Sequence, residues 1–154
     1  MKKIYSVLDV CRYMISYCNV KDYPLSNLKL QKLLYFIQAY FLSVYGRPCF
    51  QESIEAWDFG PVVPEAYYEY KKYGANSIPY VFYDPFDGAE DKINEEDKSS
   101  INRVLDVMAN YSATALVSLT HSQDPWKNVY DPYHRHIKIS NESIREYFKQ
   151  INNR

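Results

Sequence analysis

Glycine is scarce in this 154-residue chain, with 4 in all. No glycine-rich loop is available to cradle a phosphate, and neither a dinucleotide fingerprint nor a G-x-S-x-G elbow occurs. Cysteine is scarce too. Cys11, Cys18 and Cys49 are odd in number and lack paired C-x-x-C spacing, which argues against a disulfide framework and a thiolate zinc site. Cys11 and Cys18 are seven apart and share one helical face, as small buried hydrophobes would. No stretch approaches the ~20 apolar residues of a bilayer span. The briefly basic start, Met1-Lys2-Lys3, meets Asp9 and Arg12 before a signal-peptide core can form, so the expected location is the cytoplasm. An excess of either charge is missing as well. At a net charge of −1, whole-molecule electrostatics favour neither nucleic acid nor membrane, although a local basic patch remains compatible.

What the chain does have is enough apolar material for a core, at 47%, with 24% charged residues. Length and composition suit one domain over residues 1–154. Tyrosine is in excess: 17, against 7 Phe and 2 Trp. A ring with a polar tip serves at the edge of a core or at an interface, so part of this excess hints at a binding surface.

Periodicity predicts about six helices. The first runs from about Ser6 to Cys18, with Val7, Val10, Cys11, Met14, Ile15 and Cys18 as its buried stripe and Ser6, with Asp9, as its cap. Ser26 opens a second, to about Tyr45, striped by Leu30, Leu33, Leu34, Ile37, Phe41 and Val44 and widened by Tyr35, Phe36 and Tyr40. A helix apolar over most of its circumference belongs at the centre, and Gly46 ends it. Ser53 to Phe59 reads as extended, Gly60-Pro61 as a turn, and Pro64 as the start of a third helix that stops at Gly74. Tyr80 to Tyr83 is a possible strand, and the acidic run from Asp84 to Asp97 reads as a solvated loop before a helix capped by Asn94. That helix carries Ile101, Val104, Leu105 and Met108. A fifth is capped by Ser112, turns Leu116 and Leu119 inward and ends at Asp124-Pro125. The sixth begins near Ser140 with Ile144, Tyr147, Phe148 and Ile151 inside. The sum is a mainly α bundle with at most two or three short extended segments.

Catalytic constellations are sparse. His134 and His136 would share one side of an extended strand, but with His121 and the cysteines they lack the convergent spacing of a metal site. No cysteine has the setting of a Cys–His nucleophile. Glu65 and Glu69, flanked by Lys71 and Lys72, read as the wet side of the third helix. No metal, cofactor or catalytic residue is therefore expected. Two blocks stand out instead: Glu55 to Pro64, which holds Trp57, Gly60 and Pro61, and Leu119 to Trp126, which holds His121 and Pro125. Trp beside Pro or Gly in a turn marks a packed corner whose indole N–H needs an acceptor.

At these blocks the chain resembles the Panacea domain family of SocA-like antitoxins, also described as phage-associated proteins. The likeness runs from about Val7 to Trp126. It is carried by Leu28-Lys29-Leu30-Gln31-Lys32-Leu33-Leu34-Tyr35-Phe36, Gly46-Arg47-Pro48, Ile54 to Trp57, Gly60-Pro61-Val62, Tyr67 to Gly74, Tyr111-Ser112-Ala113, Leu119-Thr120-His121 and Pro125-Trp126. The segments Tyr80 to Lys98 and Asp131 onward look lineage-specific, and an appended DNA-binding domain is not expected. The resemblance implies a compact helical fold without catalysis, found on phages and mobile elements. It implies an antitoxin that binds a cognate toxin, or an adaptor that delivers one to an ATP-dependent protease. No membrane or direct nucleic-acid partner is expected, and the oligomeric state stays open. On this reading Lys32, Leu33, Tyr35, Glu55, Trp57, Gly60, Pro61, Tyr67, Gly74, His121, Pro125 and Trp126 are structural motif residues. Contacts to a variable partner suit loops, which makes Tyr83, Phe86, Tyr130 and Tyr133 the candidates. An enzyme or nucleic-acid binder unrelated to toxin control is the rival of a different class.

Overall fold

Helix α2 (Asn27–Tyr45) is the axis of the molecule, and nearly every residue from Asn27 to Leu42 is buried. The computed structural model describes residues 3–80 and 92–152. Around α2 pack α3 (Pro64–Tyr70), α4 (Glu95–Met108), α5 (Ala113–His121) and α7 (Asn141–Asn152). Helix α1 (Val7–Val20) lies against α3 and α4. The four-residue α6 (Asp124–Lys127) links α5 to α7, and a 3-10 turn (Lys71–Tyr73) extends α3. A three-stranded antiparallel sheet, ordered β2-β1-β3, is formed by β1 (Ile54–Trp57), β2 (Gly60–Val62) and β3 (Lys138–Ile139). The fold is mainly α, as expected, with the short α6 as an addition.

Local chemistry sets most of these boundaries. The Ser26 side chain accepts from the Lys29 N–H at 3.3 Å, and Gly46 takes the left-handed conformation at φ 72° that ends α2. Asn94 and Ser112 cap α4 and α5 in the same way. Ser6 does not cap with its side chain. The first amide of α1, on Val7, donates instead to Glu52 Oε1 at 2.9 Å, a long-range substitute for a local cap.

Four further expectations fail for identifiable reasons. The hairpin turns at Asp58-Phe59, while Gly60 and Pro61 lie in β2, paired with Trp57 and Ala56. Asp124-Pro125 opens α6 rather than only closing α5, because proline fits a first helical turn. Val44 and Leu119 are exposed, and Thr120 takes the inward place on α5. The acidic run ends in a buried residue: the Asp97 carboxylate accepts from the Tyr5 hydroxyl at 2.6 Å and from Arg47 at 2.8 Å. Burial, then the bond to Asp97, pushes the Tyr5 phenol up to about 12.

Candidate functional site

The side chains of α2 that look out of place in an apolar helix hold the neighbouring backbone. Gln31 accepts from the Val63 N–H at 2.9 Å and donates to Asn27 Oδ1 at 3.0 Å. Lys32, fully buried, donates from Nζ to the Pro61 carbonyl at 2.8 Å. The Tyr35 hydroxyl donates to Gln123 Oε1 at 2.9 Å, and burial holds this phenol far above its ordinary value. Gln38 accepts from the Cys49 and Phe50 amides and donates to the Phe50 carbonyl. Buried polar groups need partners, and here they find them in neighbouring backbone at Cys49, Phe50, Pro61 and Val63 and in the side chains of Asn27 and Gln123. Lys32 and Gln31 also cover the outer edge of β2, so that strand is not open for pairing. Leu33 is a plain core residue beside them.

Close approach explains Gly60. Its φ is 102°, and a Cβ there would stand 2.7 Å from Thr120 Oγ1 and 2.9 Å from Lys32 Cε. Only glycine lets β2 sit this near α2 and α5. Gly74, at φ 57°, has nothing within 4 Å of such a Cβ, so its requirement is conformational alone.

The two sequence blocks meet at the hairpin turn. Trp126 is buried and stacked between His121 (centroids 4.0 Å apart) and Tyr130 (4.4 Å). All three rings reach the turn. The Trp126 indole donates to the Trp57 carbonyl at 2.8 Å. His121 Nε2 lies 3.0 Å from the Asp58 carbonyl, and the Tyr130 hydroxyl donates to the Asp58 carboxylate. That bond is the main reason the Tyr130 phenol is raised. Pro125 is buried at the start of α6 and sets the entry to the stack.

Trp57 has a different role from Trp126. It is half-buried, its indole donates to Glu55 Oε1 at 2.9 Å, and its ring meets Tyr67 edge-on at 4.9 Å and Tyr68 at 6.3 Å. Glu55 also takes His136 at 3.2 Å. At the tip between these groups, Phe59 is 66% exposed.

Among the partner-contact candidates, Tyr133 is 90% exposed, whereas Tyr130 is committed to Trp126 and Asp58. Tyr83 and Phe86 lie outside the described residues. His134 and His136 do not share one side of a strand. His136 has φ 63°, His134 turns to Asp131 at 2.7 Å, and His136 turns to Glu55. Among the described residues no group of three or more His, Cys, Asp and Glu is placed to hold a metal ion, and no helix is long and apolar enough to cross a membrane. Sequence reading missed the Asp97–Arg47–Tyr5 cluster, the Asp58 anchor and Phe59. For Lys32 the signal was present: on a helix apolar all round, a lysine has no wet face to occupy.

The fold and this corner define a helical clasp, in which one central helix and a ring stack grip a β-hairpin. The chain belongs to the family described as antitoxin SocA-like, Panacea domain, which its residues 30–127 match. That span runs from within α2 to the end of α6 and contains the hairpin, His121 and Trp126, while Tyr130 lies just beyond it. The curated relative Antitoxin SocA of Caulobacter vibrioides (strain NA1000 / CB15N) is 38% identical over 115 residues. The aligned stretch covers 68% of this chain and 60% of that protein, so the chain spans less than two thirds of its relative's length. No solved structure matches.

Proposed function

We propose that this chain is a non-catalytic antitoxin that acts in the cytoplasm and neutralises a cognate toxin by binding it directly. The observation that carries the reading is the 38% identity over 115 residues to a protein named as an antitoxin, together with the family match over residues 30–127. The chemistry of the motif residues supports binding over catalysis. Lys32, Tyr35 and Trp126 each engage a polar atom inside the fold, and His121 meets a backbone carbonyl. None of them is left as a nucleophile facing a base. A rigid scaffold of this kind can present variable loops to different partners, over roughly 800 Å² per side for a stable complex.

On this reading the stretch 130–136 contributes contacts, as do Tyr83 and Phe86. Tyr133→Ala is expected to weaken toxin binding by roughly tenfold without moving the melting temperature, the behaviour of an exposed aromatic anchor. Tyr130→Ala is expected to lower stability as well, because its ring closes the stack. Binding titrations and thermal melts of both variants check this. Equal binding by wild type and Tyr133→Ala would remove Tyr133 from the interface.

Co-expression with the adjoining reading frame tests the function itself. The expected result is that the neighbour arrests growth alone and is harmless beside this chain, with an unchanged half-life in cells lacking ATP-dependent proteases. A toxin that persists and regains its activity when the protease is deleted would assign the chain instead to delivery of its partner for degradation. No toxicity from the neighbour would count against the proposal.

A further inference from the structure

Among the described residues Lys32 is the one fully buried side chain with a basic nitrogen, and its setting is unusual in three respects. Its Nζ has a single hydrogen-bond acceptor, the Pro61 carbonyl at 2.8 Å, although an ammonium carries three N–H groups. Among the described residues no carboxylate forms a salt bridge with it. Its stem fills the space that Gly60 leaves, so amine and hairpin fit as a tongue in a groove.

The charged groups on the elements packed against it are engaged elsewhere or exposed. On α2, Lys29 donates to the Ala109 carbonyl and Tyr35 to Gln123. On β1, Glu55 serves Trp57 and His136, and in the turn Asp58 serves Tyr130. On α5, His121 faces the Asp58 carbonyl, and on α3 Glu65 and Glu69 point to solvent. β2 has no titratable residue. Among the described residues, therefore, only the Pro61 carbonyl offsets the loss of hydration that a charge on Lys32 suffers.

We infer that Lys32 is a proton-linked latch: as a neutral amine it holds the β1–β2 hairpin on α2, and taking up a proton loosens the hairpin from the helix. The inference starts from this geometry and stands whether or not the chain is an antitoxin. The direction follows from linkage. Burial lowers the folded value to about 7, whereas a lysine freed by opening of the hairpin regains about 10.4. Between those values the open form binds a proton that the closed form does not, so opening becomes easier as pH falls, by at most about tenfold per pH unit. Below about 7 both forms are protonated and the dependence levels off.

Amide hydrogen exchange of wild type and Lys32→Met, converted to protection factors between pH 6 and 8.5, tests the latch. The Val63 amide, bonded to Gln31 of α2, reports hairpin docking, and the Ala56 amide, bonded to the Ile137 carbonyl, reports whether the hairpin also parts from the chain before β3. The amides in the middle of α4 serve as the internal control. In wild type the hairpin amides should lose protection as pH falls from 8.5 to 7, relative to α4, and Lys32→Met should show no such slope. The same slope in Lys32→Met would give the effect to His121 or His136 and overturn the proposal. If that variant does not fold, the Lys32 Cε chemical shift of the wild-type chain decides by its own titration. A midpoint near neutrality supports the latch, and one near the ordinary lysine value refutes it.

Discussion

Replacing Trp126 with alanine is expected to destabilise the protein by about 3–5 kcal/mol, the cost of removing a large buried ring without collapse of its site. The ring lies between His121 and Tyr130, and its indole N–H satisfies the Trp57 carbonyl, so two stacking contacts and one partly buried hydrogen bond go together. The loss should also free the turn, because His121 and Tyr130 reach Asp58 only while the stack holds their rings. Trp57→Ala is the instructive control. Its ring is half-buried against Tyr67 and Tyr68, and the expected cost is about 1–2 kcal/mol. Chemical denaturation of the two variants reads the difference. Equal losses would mean that the stack is not what fixes the hairpin.

Gly60→Ala should cost about 3 kcal/mol or more, from two sources that act together. Alanine at φ 102° is strained, and its methyl group would meet Thr120 Oγ1 and the Lys32 stem inside 3 Å. Either α5 moves away or the lysine loses its place under Pro61. Gly74→Ala separates strain from crowding. Its φ is also positive but the space around it is open, so strain alone remains, about 1–2 kcal/mol. Thermal melts in parallel give the comparison. A Gly60→Ala protein as stable as Gly74→Ala would show that β2 does not lie so close to α2.

These two positions also show what a sequence can and cannot reveal. Helical periodicity placed the buried stripe of α1 residue for residue, and the continuous apolar surface from Leu30 to Phe41 identified α2 as the centre. Both are local patterns with a fixed period, so a single segment contains the information. The corner was legible only in outline. Trp57 and Trp126 were equivalent as Trp-bearing turns, and which of them is interior depends on packing between segments 69 residues apart. Gly60 and Pro61 suggested a turn by composition, but the turn falls two residues earlier. Asp97 was hidden among acidic neighbours. Nothing local separates a carboxylate that caps a helix from one that is drawn inward by Arg47 and Tyr5. Of the contact candidates, Tyr130 and Tyr133 are three residues apart and similar in sequence context, yet one braces a turn and the other stands in solvent.

If the clasp works by presenting a surface, neutralisation must follow the stoichiometry of a complex. The most direct measurement is a titration of toxin activity, in a purified assay without protease, against increasing amounts of this chain. Activity should fall in proportion to the chain added and vanish at a fixed ratio near equimolar, with the toxin recovered intact from the complex. A toxin silenced by far less than an equivalent of the chain, or left chemically altered after the chain is removed, would contradict the account.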